Sequence, residues 1–408
     1  MPALFNNLRV LELTSVIGQQ CGKLFADMGV DVVKVEPPGG AASRSVGPFY
    51  QDTPNPERSL SFWHYNTSKR DVTLDLTKLQ GQAMFRRLAQ TADVLLEDTP
   101  PGTLDALGLG YKQLAALRPN LVMISITPFG QTGPWRNLQT SDLVNMALGG
   151  PLWSCGYDDH SIPPMRPYPD ASYHIASHYA YIGAMAALLQ RQMTGQGQYI
   201  DVSIHEACHD TTEGAMPIYY FNNRRVRRQT NRHASPQDTL PVVFPTADGK
   251  HEFTRIPAEP RAWEKFVEWL DAEGLAADLK DPKYRNPETR QQAAPRITKL
   301  VEELCARHTA EELFHEAQRR EMVWAPVRSP EENAGDPHLQ ARGFFVDVPH
   351  PELGRSITYA GAPYRFSETP WAIRSRAPLI GEHNEAVYFQ ELGVSRQELA
   401  AMRQAGVV

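Results

Sequence analysis

Cysteine is scarce in this 408-residue chain, and the four present, Cys21, Cys155, Cys208 and Cys305, never stand at C-x-x-C spacing. Neither a zinc ribbon nor a disulfide framework is written here, and a reducing cytoplasm is the expected setting. Positive charge is not in excess either: 41 Lys and Arg against 47 Asp and Glu leave a net −6. No general field therefore draws the chain to nucleic acid or to an anionic membrane. Long apolar runs are missing. The longest, residues 180–189, is about half of the roughly 20 residues that a membrane-spanning helix needs. Residues 1–7 show neither the basic start nor the apolar stretch of an export signal. No P-loop, no G-x-G-x-x-G and no G-x-S-x-G occurs, so nucleotide hydrolysis, NAD binding and a serine-hydrolase elbow all lack support.

Proline and glycine are plentiful, 33 and 28 residues, which is more punctuation than an all-helical bundle tolerates. Short β-rich runs alternate with helical ones, the pattern of a parallel sheet wrapped by crossover helices. Strands are expected over 8–13, 30–35, 92–96, 121–126 and 199–204, and helices over 20–28, 80–91 and 111–118. Gly29 is placed to end the first helix. A long helix is expected over 173–194, where Ile175, Tyr179, Ile182, Met185 and Leu188 recur at helical spacing before Gly195 and Gly197.

Residues 222–240 are polar and basic without apolar periodicity and read as a linker; 331–366, rich in Pro, Gly and His, read as a second. Between them, 241–330 reads as a small, mostly helical domain with helices over 263–275 and 295–308. The large domain is then discontinuous, 1–221 plus 367–408.

Residues 205–209 spell H-E-x-x-H, which on a helix sets His205 and His209 on one face as zinc ligands with Glu206 beside them. A zinc hydrolase needs a third ligand, and Thr212 and Ala215 stand where a metzincin continues with Gly and His. A polar helix start after a strand is the plainer reading. His174 and His178 share the i, i+4 spacing without carboxylate or cysteine company. Arg224, Arg225, Arg227, Arg228 and Arg232 follow Tyr219, Tyr220 and Phe221, a mix that a solvated linker or an anion-binding segment both explain. Asp170 stands just before the long helix, either as its cap or, if desolvated there, as a carboxylate nucleophile.

Several segments taken together resemble the family III CoA-transferases, over nearly the whole chain. They are LRVLEL at 8–13, LFADMGVDVVKVE at 24–36, NTSKRDVTLDL at 66–76, ADVLLE at 92–97, ISITPFGQTGP at 124–134, RQMTGQGQ at 191–198, DPHLQARG at 336–343 and GEHN at 381–384. The resemblance implies an α/β fold: a discontinuous Rossmann-like large domain, a small central α+β domain, and ring-shaped subunits interlocked as a dimer. It implies a coenzyme A thioester as substrate, with no permanently bound cofactor. An aspartate would attack the thioester and pass CoA on through mixed-anhydride and aspartyl-CoA intermediates. Contacts to CoA are implied at Val16, Gly18, Leu74, Asp75, Pro101 and Gly102.

The chain departs from the family pattern where the chemistry sits. Counting back from Thr194 without a gap, the nucleophile's slot holds Tyr173, and Asp170 lies three residues too early. Gln19-Gln20, Pro38, Ala106 and Gln139 replace residues that the family uses around CoA, and Ser141 replaces the racemase branch's His before Asp142. PPMRP at 163–167 and ASYHIAS at 171–177 resemble the succinyl-CoA:benzylsuccinate type, from anaerobic aromatic degradation, which pairs two homologous subunits. This chain resembles the noncatalytic one. The expectation is thus a cytoplasmic CoA-transferase subunit for an aromatic or dicarboxylic acid, partnered by a homologous subunit carrying the aspartate. A self-sufficient homodimer using Asp170 is the alternative, and the zinc hydrolase a remote one.

Overall fold

The computed structural model describes residue 5, residues 7–212 and residues 214–408. The expectation about an export signal falls largely on residues 1–4 and 6, outside the described ones. By contacts the chain forms two compact units. The first comprises Met1–Pro151, Tyr168–Thr211 and Pro337–Val408, the second Leu152–Pro167 and Thr212–Asp336.

The first unit is built on six parallel strands, β1 (Arg9–Leu13), β2 (Asp31–Glu36), β3 (Arg70–Thr73), β4 (Val94–Glu97), β5 (Val122–Thr127) and β6 (Tyr199–Ser203). Their order is β3-β2-β1-β4-β5-β6, so the chain winds outward from β1 to one side and then returns to build the other. Strands covered on both faces read as unbroken apolar runs rather than alternations, as in β5, where every residue is buried. The helices Gln19–Asp27, Leu79–Thr91 and Tyr111–Leu117 supply the crossovers within one or two residues of expectation. Gly29, at φ 99°, ends the first of them where a side chain would be strained.

The GEHN segment seals the outer edge strand. The Asn384 side chain accepts the Thr73 N–H at 2.9 Å and donates to its hydroxyl at 2.8 Å, while His383 Nδ1 accepts the Asp71 N–H at 3.1 Å. Backbone groups that would otherwise template another strand are thereby used.

The second unit packs helices Pro260–Ala272, Pro287–Arg307 and Ala310–Arg319 around Trp263, Phe266, Trp269, Leu304 and Trp324. The helix expected from residue 295 starts eight residues sooner, and Pro295 lies inside it. Asn286 caps it by accepting the Glu288 N–H at 2.8 Å with Pro287 in the first turn, but that turn is polar, so apolar periodicity marks only the later part.

Neither expected linker is bare chain. Within 222–240 lies a hairpin, β7 (Arg227–Gln229) with β8 (Arg232–Ser235); polar side chains hold it, which hydrophobic periodicity cannot report. The unit's antiparallel sheet follows, of β9 (Val243–Pro245), β10 (His251–Phe253) and β11 (Ala325–Pro326). Within 331–366 lies a second hairpin, β12 (Phe345–His350) with β13 (Arg355–Ala360), which is part of the first unit and buries Val348 and Tyr359 against that unit's Phe62 and Trp63. Residues 152–167, read as part of the large domain, cluster with the second unit. Among the described residues no helix is long and apolar enough to cross a membrane.

Candidate functional site

In an open parallel sheet, ligands enter outside the carboxyl ends of the strands, where the winding reverses. Here that point lies between β1 and β4. After β1 the chain runs through Thr14–Gly18 into the helix Gln19–Asp27; after β4 it turns at Asp98. The Asp98 carboxylate joins the two loops, accepting the Ser15 N–H at 2.8 Å, the Gly18 N–H at 2.9 Å and the Ser15 hydroxyl at 3.0 Å. Burial raises this carboxyl above its usual range against those donors. A side chain at Gly18 would begin 2.7 Å from Thr14 Cγ2, so the turn closes only with glycine.

Beneath the loop lies a buried charge cluster. Lys34 Nζ donates to the Thr14 carbonyl at 2.8 Å and to Glu12 at 3.1 Å; Lys69 Nζ donates to Glu12 at 2.9 Å and to the Gln19 carbonyl at 3.0 Å. All three side chains are fully buried. Burial would raise the Glu12 carboxyl, but the charges of Lys34 and Lys69 override it and hold it low. Burial brings the Lys69 ammonium down to about 8, with Glu12 opposing. One glutamate thus pairs with two lysines, and Glu36 and Asp98 add negative charge beside Lys34.

The long helix Ala171–Thr194 starts at Asp170, which takes the left-handed conformation, φ 61°. Asp170 occupies the cap position, but its side chain makes no capping bond to the first turn. Asp142 caps the helix instead, accepting the Ser172 N–H at 2.9 Å and the Ser172 hydroxyl at 2.8 Å. Three residues into the helix, Tyr173 is half-buried. Burial raises its hydroxyl above the usual phenol value, and the charges of Asp142, Asp170 and Asp98 add to the effect. One turn on, the Ser177 hydroxyl reaches the Ile17 carbonyl of the β1 loop at 3.4 Å. The neighbouring His174 shares a 2.6 Å hydrogen bond with the Tyr65 hydroxyl, and burial lowers its imidazole. Ser141, at the racemase histidine's place, caps the helix Asp142–Gly149.

The expected CoA contacts all fall at this carboxyl edge, but not in one spot. Val16 and Gly18 lie on the β1 loop and Pro101 and Gly102 on the β4 loop, whereas Leu74 and Asp75 follow β3. From β3 to β4 is three strand spacings, about 14 Å, so only an extended ligand touches all of them. Leu74 is buried and offers backbone alone. The Asp75 carboxylate is occupied by the Thr77 N–H at 3.0 Å and the Thr77 hydroxyl at 2.6 Å. Pro38, Ala106 and Gln139 are exposed.

A cavity of about 480 Å³ opens along β4 to β6, lined by Glu97, Thr99, Gly102, Tyr111 and Tyr199, with Lys112 and Arg136 as its cations. Tyr111 and Tyr199 stack with ring centres 5.5 Å apart, and Tyr199 donates to the Ser125 hydroxyl at 2.9 Å. Sequence reasoning named neither cation, and it missed Asp98. The signal for Asp98 was available: it is the first residue past the strand beside β1.

The H-E-x-x-H segment does lie on a helix, Ile204–Asp210. His209 Nδ1 donates to the Gly149 carbonyl at 3.1 Å, and His205 packs 5.7 Å from each of Phe129 and Trp135. No cluster of three or more His, Cys, Asp or Glu placed to hold a metal occurs among the described residues. The pair is used in packing, which corrects the zinc reading. His178 is exposed, and it does not join His174 in a ligand set. Of the arginine cluster, Arg228 donates to the Ile162 carbonyl at 2.8 Å and Arg232 pairs with Asp158, so these two knit the second unit together.

Known proteins agree with this picture. The family model "CoA-transferase family III" matches residues 5–384. The chain is 34% identical over 412 residues, 99% of its length and 98% of the relative's, to the succinyl-CoA:(R)-benzylsuccinate CoA-transferase subunit BbsE of Thauera aromatica. It is 30% identical over 408 residues, 98% of its length and 97% of the relative's, to the succinyl-CoA–L-malate CoA-transferase beta subunit of Chloroflexus aurantiacus. Among solved structures it matches a CAIB/BAIF family protein from Brucella suis with TM-score 0.82 and 26% identity, over 96% of this chain and 100% of that one. Sequence match, strand order and crevice together establish that this chain belongs to CoA-transferase family III.

Proposed function

We propose that the chain is the supporting half of a heteromeric CoA-transferase, which moves CoA from succinyl-CoA to an aromatic or dicarboxylic acid such as benzylsuccinate. The observation that carries this reading is Tyr173. Burial and three nearby carboxylates raise its hydroxyl above the usual phenol value, so it stays a neutral phenol at neutral pH. An acyl carrier needs an activated, ionised nucleophile, and this group is the opposite. In the heteromer a carboxylate of the homologous subunit attacks the thioester carbonyl and CoA leaves as the thiolate. The thiolate attacks the aspartyl carbonyl of the resulting mixed anhydride, which releases succinate and leaves an aspartyl-CoA thioester. The acceptor's carboxylate attacks that thioester and expels the thiolate, which then attacks the acceptor carbonyl of the new anhydride, giving the acceptor's CoA thioester and freeing the enzyme's carboxylate. Val16, Gly18, Pro101 and Gly102 line the crevice as walls for the extended thioester.

A partner also suits the surface. The long helix exposes Ile182 at 63%, Leu189 at 62% and Met193 at 82%, large apolar side chains that a partner would cover. Relatives named as subunits point the same way, and interlocked rings are the arrangement proposed for the pair. The free cysteines fit a cytoplasmic setting. Asp170 supports the second reading, a self-sufficient homodimer, because it opens the same helix one turn before Tyr173.

The test is CoA transfer from succinyl-CoA to a panel of aromatic and dicarboxylic acids, by the chain alone and co-expressed with a homologous subunit, each with and without Asp170→Ala. Activity only in the pair, surviving Asp170→Ala, is the expected result. Activity of the chain alone that vanishes in Asp170→Ala would establish the homodimer instead.

A further inference from the structure

The second unit holds a cavity of about 710 Å³, larger than the one beside β4, between the hairpin β7–β8, strand β10, and residues 154–156 with Met165. Its walls are held by polar bonds rather than by apolar packing. Buried Gln229 accepts the Thr239 N–H at 2.7 Å and the Thr239 hydroxyl at 2.8 Å, and donates to the His233 carbonyl at 3.2 Å. Trp153 donates to the Val226 carbonyl at 2.8 Å, and the Thr230 hydroxyl accepts the Asp158 N–H at 3.0 Å. Arg232, its side chain 8% exposed, bridges the Thr239 carbonyl and the Asp158 carboxylate, which leaves its Nε buried without a partner.

Two properties of the lining define what fits. Its ionisable side chains include Arg232, Arg255 and His233 and no Asp or Glu. Arg255 is exposed and has no ion pair among the described residues. The rest includes Cys155, Met165, Val242 and Phe253, an apolar wall facing the same space. A small inorganic anion satisfies the cations but leaves that wall wet, and an apolar molecule leaves the cations unused. We propose that this cavity binds an organic acid with an apolar, ring-sized body, its carboxylate meeting Arg255 and Arg232 and its body covering Met165 and Phe253. The proposal rests on the transferase reading, to which it adds a place in the second unit for the acceptor acid.

Calorimetric titration of the purified full chain, without CoA, tests it with 2-benzylsuccinate, succinate and inorganic phosphate as probes. Benzylsuccinate is expected to bind one per chain, and succinate and phosphate at least about tenfold more weakly. Arg255→Gln is expected to weaken benzylsuccinate binding about tenfold, the effect of one charge-assisted hydrogen bond. Met165→Asp, at an exposed side chain, should abolish binding while the melting temperature holds. No binding of benzylsuccinate, equal binding of all three probes, or indifference to both variants overturns the proposal. CoA transfer by the co-expressed pair is scored separately. Transfer with acid binding indifferent to the variants removes this cavity and leaves the transferase reading standing; variant-sensitive binding without transfer does the reverse.

Discussion

One carboxylate oxygen of Asp142 holds Ser172 twice, through its N–H at 2.9 Å and its hydroxyl at 2.8 Å. The start of the long helix, and with it the position of Tyr173, is therefore set by a residue thirty positions earlier rather than by its own neighbour Asp170. Replacing Asp142 by Ala leaves the buried Ser172 N–H without its acceptor and should cost ~1–3 kcal/mol. Asp142→Asn keeps an acceptor and should cost less. Urea titrations at constant slope read both; an unmoved midpoint in Asp142→Ala would show that the cap carries no weight.

The Glu12 cluster predicts a pH dependence of the same sign as acid unfolding but displaced to alkaline pH. Lys69 titrates near 8 when folded and at its ordinary 10.5 when unfolded. Between those values the unfolded chain holds more protons, so this group makes stability rise with pH across that window. Lys69→Met should remove that rise. Glu12→Gln removes the carboxylate that both buried lysines pair with, leaving Glu36 and Asp98 as negative charges acting on Lys34, and should cost ~3–5 kcal/mol at neutral pH. Melting curves from pH 7 to 10.5 check both; a Lys69→Met profile parallel to wild type contradicts the assignment.

In the second unit, Glu252 is fully buried and both its carboxylate oxygens lack hydrogen-bond partners. Burial pushes it up to about 8, Glu311 and Asp248 push the same way, and Arg328 opposes. Between its ordinary 4.5 and 8 the folded state keeps a proton that the unfolded state has lost, so stability falls as pH rises through that range. Glu252→Gln should flatten the dependence and raise the second unit's melting temperature at pH 8 by about 3 °C or more. A lower melting temperature at that pH would mean that the carboxylate is ionised and paired.

Asp98 ties the β1 loop to the β4 loop through three donors. Asp98→Ala frees Ser15 and Gly18 and should weaken binding of a CoA thioester by about tenfold, measured by titration of the assembled pair. Unchanged affinity would place CoA elsewhere on the carboxyl edge.

Much of the first unit is legible in the chain because strands buried on both faces announce themselves as apolar runs, β4 and β5 most plainly. The hairpin β7–β8 was not, since Gln229 and Arg232 hold it with hydrogen bonds that leave no periodic trace. Pro295 misled for a related reason: a proline usually marks a helix start, and here the polar first turn hid the true start at Pro287. The site was half visible. The resemblance set its expected CoA contacts on the loops after β1, β3 and β4, whereas Lys112 and Arg136, which share a cavity, and Asp98, which ties two loops, carry no motif and are brought into place only by strand order.

The amino-acid sequence by itself determined the family and the parallel α/β character, because each is a matter of residue type at short spacing. Tertiary structure alone decided that Asp142 rather than Asp170 caps the long helix, that His205 and His209 serve packing, and that one buried glutamate answers two lysines. Each of these joins groups distant in the chain. Which of several eligible carboxylates, imidazoles or ammoniums meet is settled by how strands and helices pack, and burial then sets their charge.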